Sequence, residues 1–304
     1  MGTLQPLLGL MFVVFFAVQA KAVPQSETGK ASKAVPVGDF SVVPLWDGEH
    51  NFPLSFFKGA DEATMRELIG APQPSGSFDA YLIRHGKECF LVDVGNGALR
   101  PDRIGQLPLS LKKAKTAPED ISKIFITHFH GDHIGGLIAD GKPAFPKAQV
   151  YVAKAEYDYW TSEEIMRQVE ESRRGTFLMV RGMMRVLEQA KLLVLFTPGD
   201  VLSPGITSVA LFGHTPGHTG FMLDSGGQRL FFVGDLVHAG SLQFPRPDIT
   251  AVFDSDQMTA KETRLRVFKQ VVAEKIPIAA VHLPFPGIGL VRPEGGGYRF
   301  EEYQ

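Results

Sequence analysis

Residues 127–133 constrain this chain more than any other segment, because they place three imidazoles and a carboxylate within six residues. The apolar run just before them predicts a short buried strand. Side chains two apart in an extended chain point the same way, so His128 and His130 can bind one metal ion. Asp132 and His133 follow at a turn and can face a second ion. The segment therefore predicts a metal centre.

Three later segments carry further metal-binding side chains in positions typical of strand ends. Residues 213–219 form a Gly/Pro turn with two histidines, His214 and His218. Two apolar runs end in Asp235 and His282. Strand ends meet at one edge of an α/β sheet, where functional sites form. We therefore expect these side chains to converge on the first motif.

These motifs follow one another in the order typical of the metallo-β-lactamase-fold hydrolases, and the chain resembles that family over residues 38–300. The resemblance implies an α/β fold, a four-layer αβ/βα sandwich, with a centre of two divalent metal ions. His214 precedes the Thr-Pro-Gly-His element, so we expect it in a supporting role outside the ligand set, with direct ligation as the less favoured alternative. The implied ligands are His128, His130 and His218 for the first metal, Asp132, His133 and His282 for the second, and Asp235 as the bridge.

Length and charge limit the other classes of function. The chain has 304 residues, of which 44% are hydrophobic, enough for one large α/β domain or two small ones. The formal net charge is −2 and no run of lysine or arginine stands out, so we expect no nucleic-acid partner. Cys89 is the single cysteine, which excludes an intramolecular disulfide, and its apolar strand pattern predicts a buried thiol.

The amino-terminal segment predicts export. Residues 7–18 are apolar apart from Gly9, and small residues follow, as in a secretory signal peptide spanning residues 1–22. An uncleaved anchor is the alternative, although the run is short for a membrane span. We expect a disordered lead-in at 23–36, a hydrolase domain at 37–304, a periplasmic or secreted location, and no stable membrane association after cleavage.

Alternating and helical patterns predict the main elements. Asp93 ends one of these strands and is expected to orient the histidine segment or a ligand imidazole. A turn is expected at residues 46–48. The predicted strands cover residues 40–45, 79–85, 89–94, 149–152, 192–196, 206–211, 221–223 and 230–233, and helices cover most of 154–185 and 259–275, the latter capped by Thr259 or Asp256.

The ligand set favours hydrolysis. Two metals that share Asp235 also share a water, whose pKa falls to about 7, while the second metal polarises a carbonyl or phosphoryl oxygen. Zinc is favoured, and manganese, iron and cobalt stay open because the ligands do not separate them. By resemblance to lactonases of this fold, Asp132 would act as the acid for a poor leaving group.

Further segments resemble the methyl parathion hydrolase-like branch of the family, at residues 38–40, 144–146, 253–256, 285–289 and 297–300. This implies a small-molecule ester substrate, namely a phosphotriester, lactone or aryl ester, in an aromatic pocket formed by Trp160 and Phe177, with Phe56, Phe57 and Phe244 as further candidates. Arg100 stands where that branch has phenylalanine, which favours a polar or anionic substrate, unless Arg100 is a solvated loop residue.

Other functions on the same fold stay open. The periplasmic metallo type of β-lactamase lacks a bridging aspartate, so Asp235 argues against it. An oxygen-dependent metalloenzyme would use similar ligands. A non-catalytic binding module would be expected to have lost some ligands. Residues 173–185 could form a lid or the surface of a homodimer.

Overall fold

The computed structural model describes residues 29–99 and 104–303, so the expected signal peptide and Arg100 lie outside the described residues. The expected lead-in lies partly within them, and there the expectation of disorder is wrong. Lys30–Ala31 and Val35–Val37 are strands that pair with Phe40–Asn51. Val37 is buried against the core, so the ordered domain begins before residue 37.

The described part of the chain contains nineteen strands and eight α-helices. None of these described helices is long and apolar enough to cross a membrane. The strands are β1 (Lys30–Ala31), β2 (Val35–Val37), β3 (Phe40–Asn51), β4 (Phe57–Lys58), β5 (Ser75–His85), β6 (Glu88–Val92), β7 (Ile121–Phe125), β8 (Ile138–Ala139), β9 (Lys142–Pro143), β10 (Gln149–Ala153), β11 (Leu193–Phe196), β12 (Val201–Ser203), β13 (Ile206–Ala210), β14 (Thr219–Ser225), β15 (Gln228–Gly234), β16 (Thr250–Ala251), β17 (Ile278–Ala280), β18 (Ile288–Glu294) and β19 (Gly297–Glu302). The helices are α1 (Glu62–Ile69), α2 (Leu107–Lys113), α3 (Gly131–Ile134), α4 (Lys154–Thr161), α5 (Glu163–Gln168), α6 (Glu171–Gln189), α7 (Gly240–Gln243) and α8 (Gln257–Glu274), the last capped by Asp256.

Two large sheets organise the described strands. The first has the order β1-β3-β5-β6-β7-β10-β11, with β2 beside β3, and the second has the order β12-β13-β14-β15-β17-β18-β19. Strands β6, β7, β10 and β11 are parallel, as are β15 and β17. Their carboxyl ends therefore lie at the same edge of each sheet, where polar loops can converge.

Alternating side chains of each sheet face two different cores. On β5, Leu82 packs in the core shared with α2, α4 and α6, whereas Ile83 packs between the two sheets. On β15, Phe232 faces the first sheet, whereas Phe231 packs with Phe268 of α8. The layers run helix, sheet, sheet, helix, which confirms the four-layer sandwich.

Strand β3 continues through the expected turn at residues 46–48. Trp46 pairs with Asp79 and Gly48 with Phe78, so Asp47 is an extra residue in a bulge. The buried Asp47 carboxylate accepts hydrogen bonds from the backbone N–H groups of Asn96, at 2.7 Å, and Leu107, at 2.8 Å. These bonds hold the bulge and let β3 extend toward the metal-binding edge.

Cys89 on β6 is half-buried, so the expectation of a fully buried thiol is only partly met. Burial raises the pKa of this thiol. A raised pKa keeps the sulfur protonated at neutral pH and makes it a poor nucleophile.

Candidate metal centre

The histidine-rich segment leaves β7 as extended chain and then enters α3. His128 Nε2 and His130 Nδ1 lie 3.0 Å apart, as the geometry of an extended chain predicts. Asp132 and His133 lie on α3, with His133 Nε2 3.6 Å from Asp132 Oδ2. One short segment thus supplies two pairs of metal-binding groups.

Two further loops each add a third metal-binding side chain to one of these pairs. His214, in the turn between β13 and β14, places Nε2 2.9 Å from His130 Nδ1. His282, after β17, places Nε2 3.4 Å from Asp132 Oδ2. We call His128, His130 and His214 the first ligand group, and Asp132, His133 and His282 the second ligand group.

Asp235 lies between the two groups. Its Oδ1 is 3.0 Å from His133 Nε2, and its Oδ2 is 3.2 Å from Nε2 of both His214 and His282. Gly234 before it has a φ of 50°, and a Cβ there would lie 2.6 Å from His218 Nε2, so only glycine fits at the end of β15. This backbone places the Asp235 carboxylate where both groups can share it.

The turn presents His214, and not His218, to the first ligand group, which corrects the sequence interpretation. The Nδ1–H of His218 donates to Leu211 O at 2.9 Å, and its Nε2 accepts from the Asp235 backbone N–H at 3.2 Å. Both nitrogens of His218 are therefore occupied by the backbone, and no lone pair is left for a metal. His218 supports the turn and the end of β15.

Two buried carboxylates orient ligand imidazoles from behind. His133 Nδ1 lies 2.8 Å from Asp93 Oδ2, and Asp93 also accepts from the Thr127 backbone N–H, as the sequence led us to expect. His214 Nδ1 lies 2.8 Å from Asp254 Oδ1. A carboxylate that accepts the Nδ1–H leaves Nε2 as the metal-binding nitrogen.

The site fits divalent metal ions. The ligand atoms of each group lie within 4.8 Å of one another. His133 Nε2 and Asp235 Oδ1 are buried and lie 3.0 Å apart, but neither atom makes a hydrogen bond of normal geometry within the described residues, which is costly unless an ion binds them. Imidazole nitrogen and carboxylate oxygen suit zinc and similar transition metals.

Burial and charge set the protonation of the ligands. Burial lowers the pKa of His130 to about 3. Burial also opposes ionisation of Asp235, but the neighbouring imidazoles, that of His133 above all, hold the pKa of Asp235 well below its usual value. Burial also opposes charge on His214, but hydrogen bonds to Asp235 and Asp254 raise its pKa to about 9. Metal binding at His214 therefore displaces a proton.

His238 belongs to the centre but was missed in the sequence. Its Nε2 lies 3.1 Å from Asp235 Oδ2, and its ring stacks on that of His282 with an interplanar angle of 22°. The residue is only three positions after Asp235, and that proximity was the available signal. His238 lines the cavity beside the ligands.

An open cavity of about 1130 Å³ lies over the ligand groups. Apolar and polar residues both line it. Helix α6 contributes Thr176 and Met179, and the end of β3 contributes Glu49 to Asn51. The aromatic side chains of the wall are Phe52, Phe56, Phe78 and Phe253.

This wall differs from the pocket expected from the sequence: among the expected pocket residues that the structure describes, Phe56 alone lies in the cavity wall, and Arg100 lies outside the described residues. Trp160 and Phe177 pack on each other in the core under the first sheet, and the Trp160 Nε1–H donates to Glu156. Phe244 is stacked between Phe268 and Phe300 in the core under the second sheet. Phe57 is buried against α1. These side chains support the site without reaching the cavity.

Comparison with known proteins now identifies the family. The model of the metallo-beta-lactamase superfamily matches residues 77–277, which include six of the seven ligands proposed here. The chain belongs to the metallo-β-lactamase superfamily. The ligand missing from the matched range is His282, which the structure places in the second ligand group. The superfamily and the ligand groups together support a metal-dependent hydrolase.

Two solved structures are similar to this chain over most of their length. The hydrolase AbOPH is 28% identical with a TM-score of 0.85, covering 90% of this chain and 98% of AbOPH. The dizinc quorum-quenching lactonase AidC is 26% identical with a TM-score of 0.85, covering 91% of this chain and 99% of AidC.

Curated relatives match over shorter stretches. A probable metallo-hydrolase of Mycobacterium tuberculosis is 32% identical over 179 residues, which cover 50% of this chain and 54% of that protein. The chain thus spans about half of its length, and only 19% of the ribonuclease Z of Thermococcus sibiricus. Such partial matches do not show the substrate of this chain.

Proposed function

We propose that this protein is a binuclear metal-dependent hydrolase that cleaves ester bonds in lactones, aryl esters or phosphotriesters, with zinc as the favoured metal. The observation that carries the proposal is the position of Asp235, which faces His133 through Oδ1 and His214 through Oδ2. A carboxylate between two groups of three ligands suits a bridge between two ions.

The residues divide the work as follows. The first ligand group with Asp235 would hold one ion, and the second ligand group with Asp235 the other. Bound in this way, the ions would supply an activated water near neutral pH and polarise the scissile oxygen. Asp132 belongs to the second ligand group and also lines the cavity, so its carboxylate would accept a proton from the water and donate it to the leaving group.

The cavity supports a small, largely apolar ester. Phe52 and Phe56 pack near Phe253, whose ring centroid lies 4.7 Å from that of His238 beside the ligands. An acyl or aryl group bound on this aromatic wall would place its ester over the metal centre. Similarity to the lactonase AidC favours cleavage of an ester bond, and similarity to AbOPH favours hydrolysis in general. The methyl parathion hydrolase-like branch remains our proposed position in the superfamily.

A substrate panel tests the proposed activity. Protein loaded with zinc, manganese or cobalt is expected to hydrolyse aryl esters and lactones, and to act measurably on aryl phosphotriesters. An aryl oxide leaving group needs little proton donation, so aryl substrates should react fastest. The measurement is steady-state kinetics under air and under nitrogen. The substrate panel also includes a β-lactam and an acyl thioester. Turnover confined to the β-lactam, or activity that requires oxygen, would contradict the proposal.

Phe253 tests where the substrate binds. Phe253→Ala is expected to raise KM for apolar aryl or acyl esters roughly tenfold, because it removes apolar contact worth about 1.5 kcal/mol, with a smaller change in kcat. Met258→Ala, which truncates an exposed apolar side chain on α8, is the matched control and should leave KM unchanged. Equal values of KM for Phe253→Ala and the unaltered protein would place the substrate elsewhere.

A further inference from the structure

Glu156 joins two loops of the metal centre through one buried carboxylate. It lies on α4 and is 1% exposed. Its Oε1 accepts from the Phe129 backbone N–H at 2.9 Å and from Trp160 Nε1–H at 2.7 Å. Its Oε2 accepts from the Thr215 hydroxyl at 2.7 Å and from the Gly217 backbone N–H at 2.9 Å. Both oxygens are therefore saturated by donors.

The two loops are those that carry the first ligand group. Phe129 stands between His128 and His130, and Thr215 directly follows His214. Gly217 also packs on α4 so closely that a Cβ there would lie 2.1 Å from the Glu156 backbone nitrogen. A single side chain thus joins the two separate loops that carry the three imidazoles of the first ligand group.

We propose that Glu156 is a positioning residue that fixes the geometry of the first ligand group and so controls metal affinity at that position alone. The inference rests on the proposed binuclear centre. The second ligand group is supported from another direction, because His133 bonds to Asp93 and His282 follows β17. None of the four hydrogen bonds to Glu156 comes from a residue next to the second ligand group.

The chemistry of the carboxylate explains why no isosteric replacement would serve. Four donors converge on Glu156 and require two acceptor oxygens. Glutamine has the same shape but one oxygen and one NH₂ group. Its oxygen can satisfy one pair of donors, while its NH₂ then faces the other pair, which includes at least one donor from a ligand loop. Glu156→Gln is therefore expected to release one loop while retaining the packing of α4.

Cobalt titration of metal-free protein tests the inference. In Glu156→Gln, one of two cobalt equivalents is expected to bind roughly 10–100-fold more weakly, the range for residues that support metal ligands. The visible spectrum at one equivalent should match that of His214→Ala, which lacks a first-group ligand, and differ from that of His133→Ala. Thr215→Val removes one of the four donors and should give a smaller weakening of the same equivalent.

Asp47→Asn is the matched control, since Asp47 is another buried carboxylate that accepts backbone N–H groups but contacts neither ligand loop. It should leave both cobalt affinities unchanged.

If Glu156→Gln does not fold, Thr215→Val and Trp160→Phe decide the question. Equal weakening of both equivalents, no weakening, or the same loss in Asp47→Asn would overturn the role of Glu156. A single equivalent in the unaltered protein would instead contradict the binuclear proposal, and its response to Glu156→Gln would still decide about Glu156.

Discussion

Asp235→Asn is expected to reduce bound metal from two equivalents to one or fewer and to lower ester hydrolysis by more than about 100-fold, beyond the range for supporting residues. Asp235 Oδ2 lies within 3.2 Å of Nε2 of both His214 and His282, and Oδ1 faces His133. An asparagine keeps the shape of the side chain but loses the charge and one oxygen, so it cannot bridge two cations. Elemental analysis and kinetics on the same preparation measure both effects.

Asp79→Asn is the control for this variant. Asp79 is also a buried carboxylate, but it bonds to the Ser77 hydroxyl, and burial raises its pKa well above the usual value. Burial therefore opposes the negative charge of this side chain, and an amide of the same shape is expected to replace it with little cost. Asp79→Asn should retain both metals and full activity. Two tightly bound equivalents in Asp235→Asn would show that Asp235 is not the bridge.

The sequence predicted the convergence of those candidate ligands whose positions depend on local geometry. His128 and His130 converge because residues two apart in extended chain point the same way. Asp235 and His282 follow apolar runs that the structure shows as parallel strands β15 and β17, and the ends of such strands share an edge. The four-layer sandwich itself came from the resemblance to the superfamily, since period-two patterns alone do not show how two sheets stack.

The pocket could not be predicted because its wall is assembled from distant segments. Phe52 follows β3 and Phe253 follows β16, about 200 positions apart in the chain, yet their ring centroids lie 5.9 Å apart. Trp160 was a plausible pocket residue until the bond of its Nε1–H to Glu156 showed that it faces inward. An aromatic residue in a sequence shows only that it will be partly buried, and tertiary packing decides which surface it covers.

The turn at residues 213–219 shows a finer limit of sequence reasoning. It offers two histidines four positions apart, and either could reach a metal after β13. What separates them is the hydrogen bonding of each ring. His218 is bound on both nitrogens by Leu211 and by the Asp235 backbone. His214 is held at Nδ1 by Asp254, and its Nε2 points at the other side chains of the centre. These partners lie 7 to 40 positions away, so no local pattern reveals them.

His214→Ala is expected to weaken metal binding at the first ligand group by more than about 100-fold. His218→Ala should weaken it by no more than the roughly 10–100-fold that is typical of residues supporting metal ligands. The first variant removes a ligand nitrogen. The second leaves the Leu211 carbonyl and the Asp235 N–H without a partner, and unsatisfied buried groups cost about 1–3 kcal/mol each. Its main effect should therefore be on the free energy of unfolding.

Two measurements on the metal-free proteins separate these effects. Titration with cobalt gives the affinity of each equivalent, and denaturant unfolding gives the stability without any contribution from bound metal. His218→Ala should lower the stability of the metal-free protein by about 2 kcal/mol or more while still binding two equivalents. His214→Ala should bind one equivalent tightly and show a separate, weak second step. If His218→Ala loses the first metal as completely as His214→Ala, then His218 is a ligand after all, and the bonds of its ring to Leu211 and Asp235 must give way when metal binds.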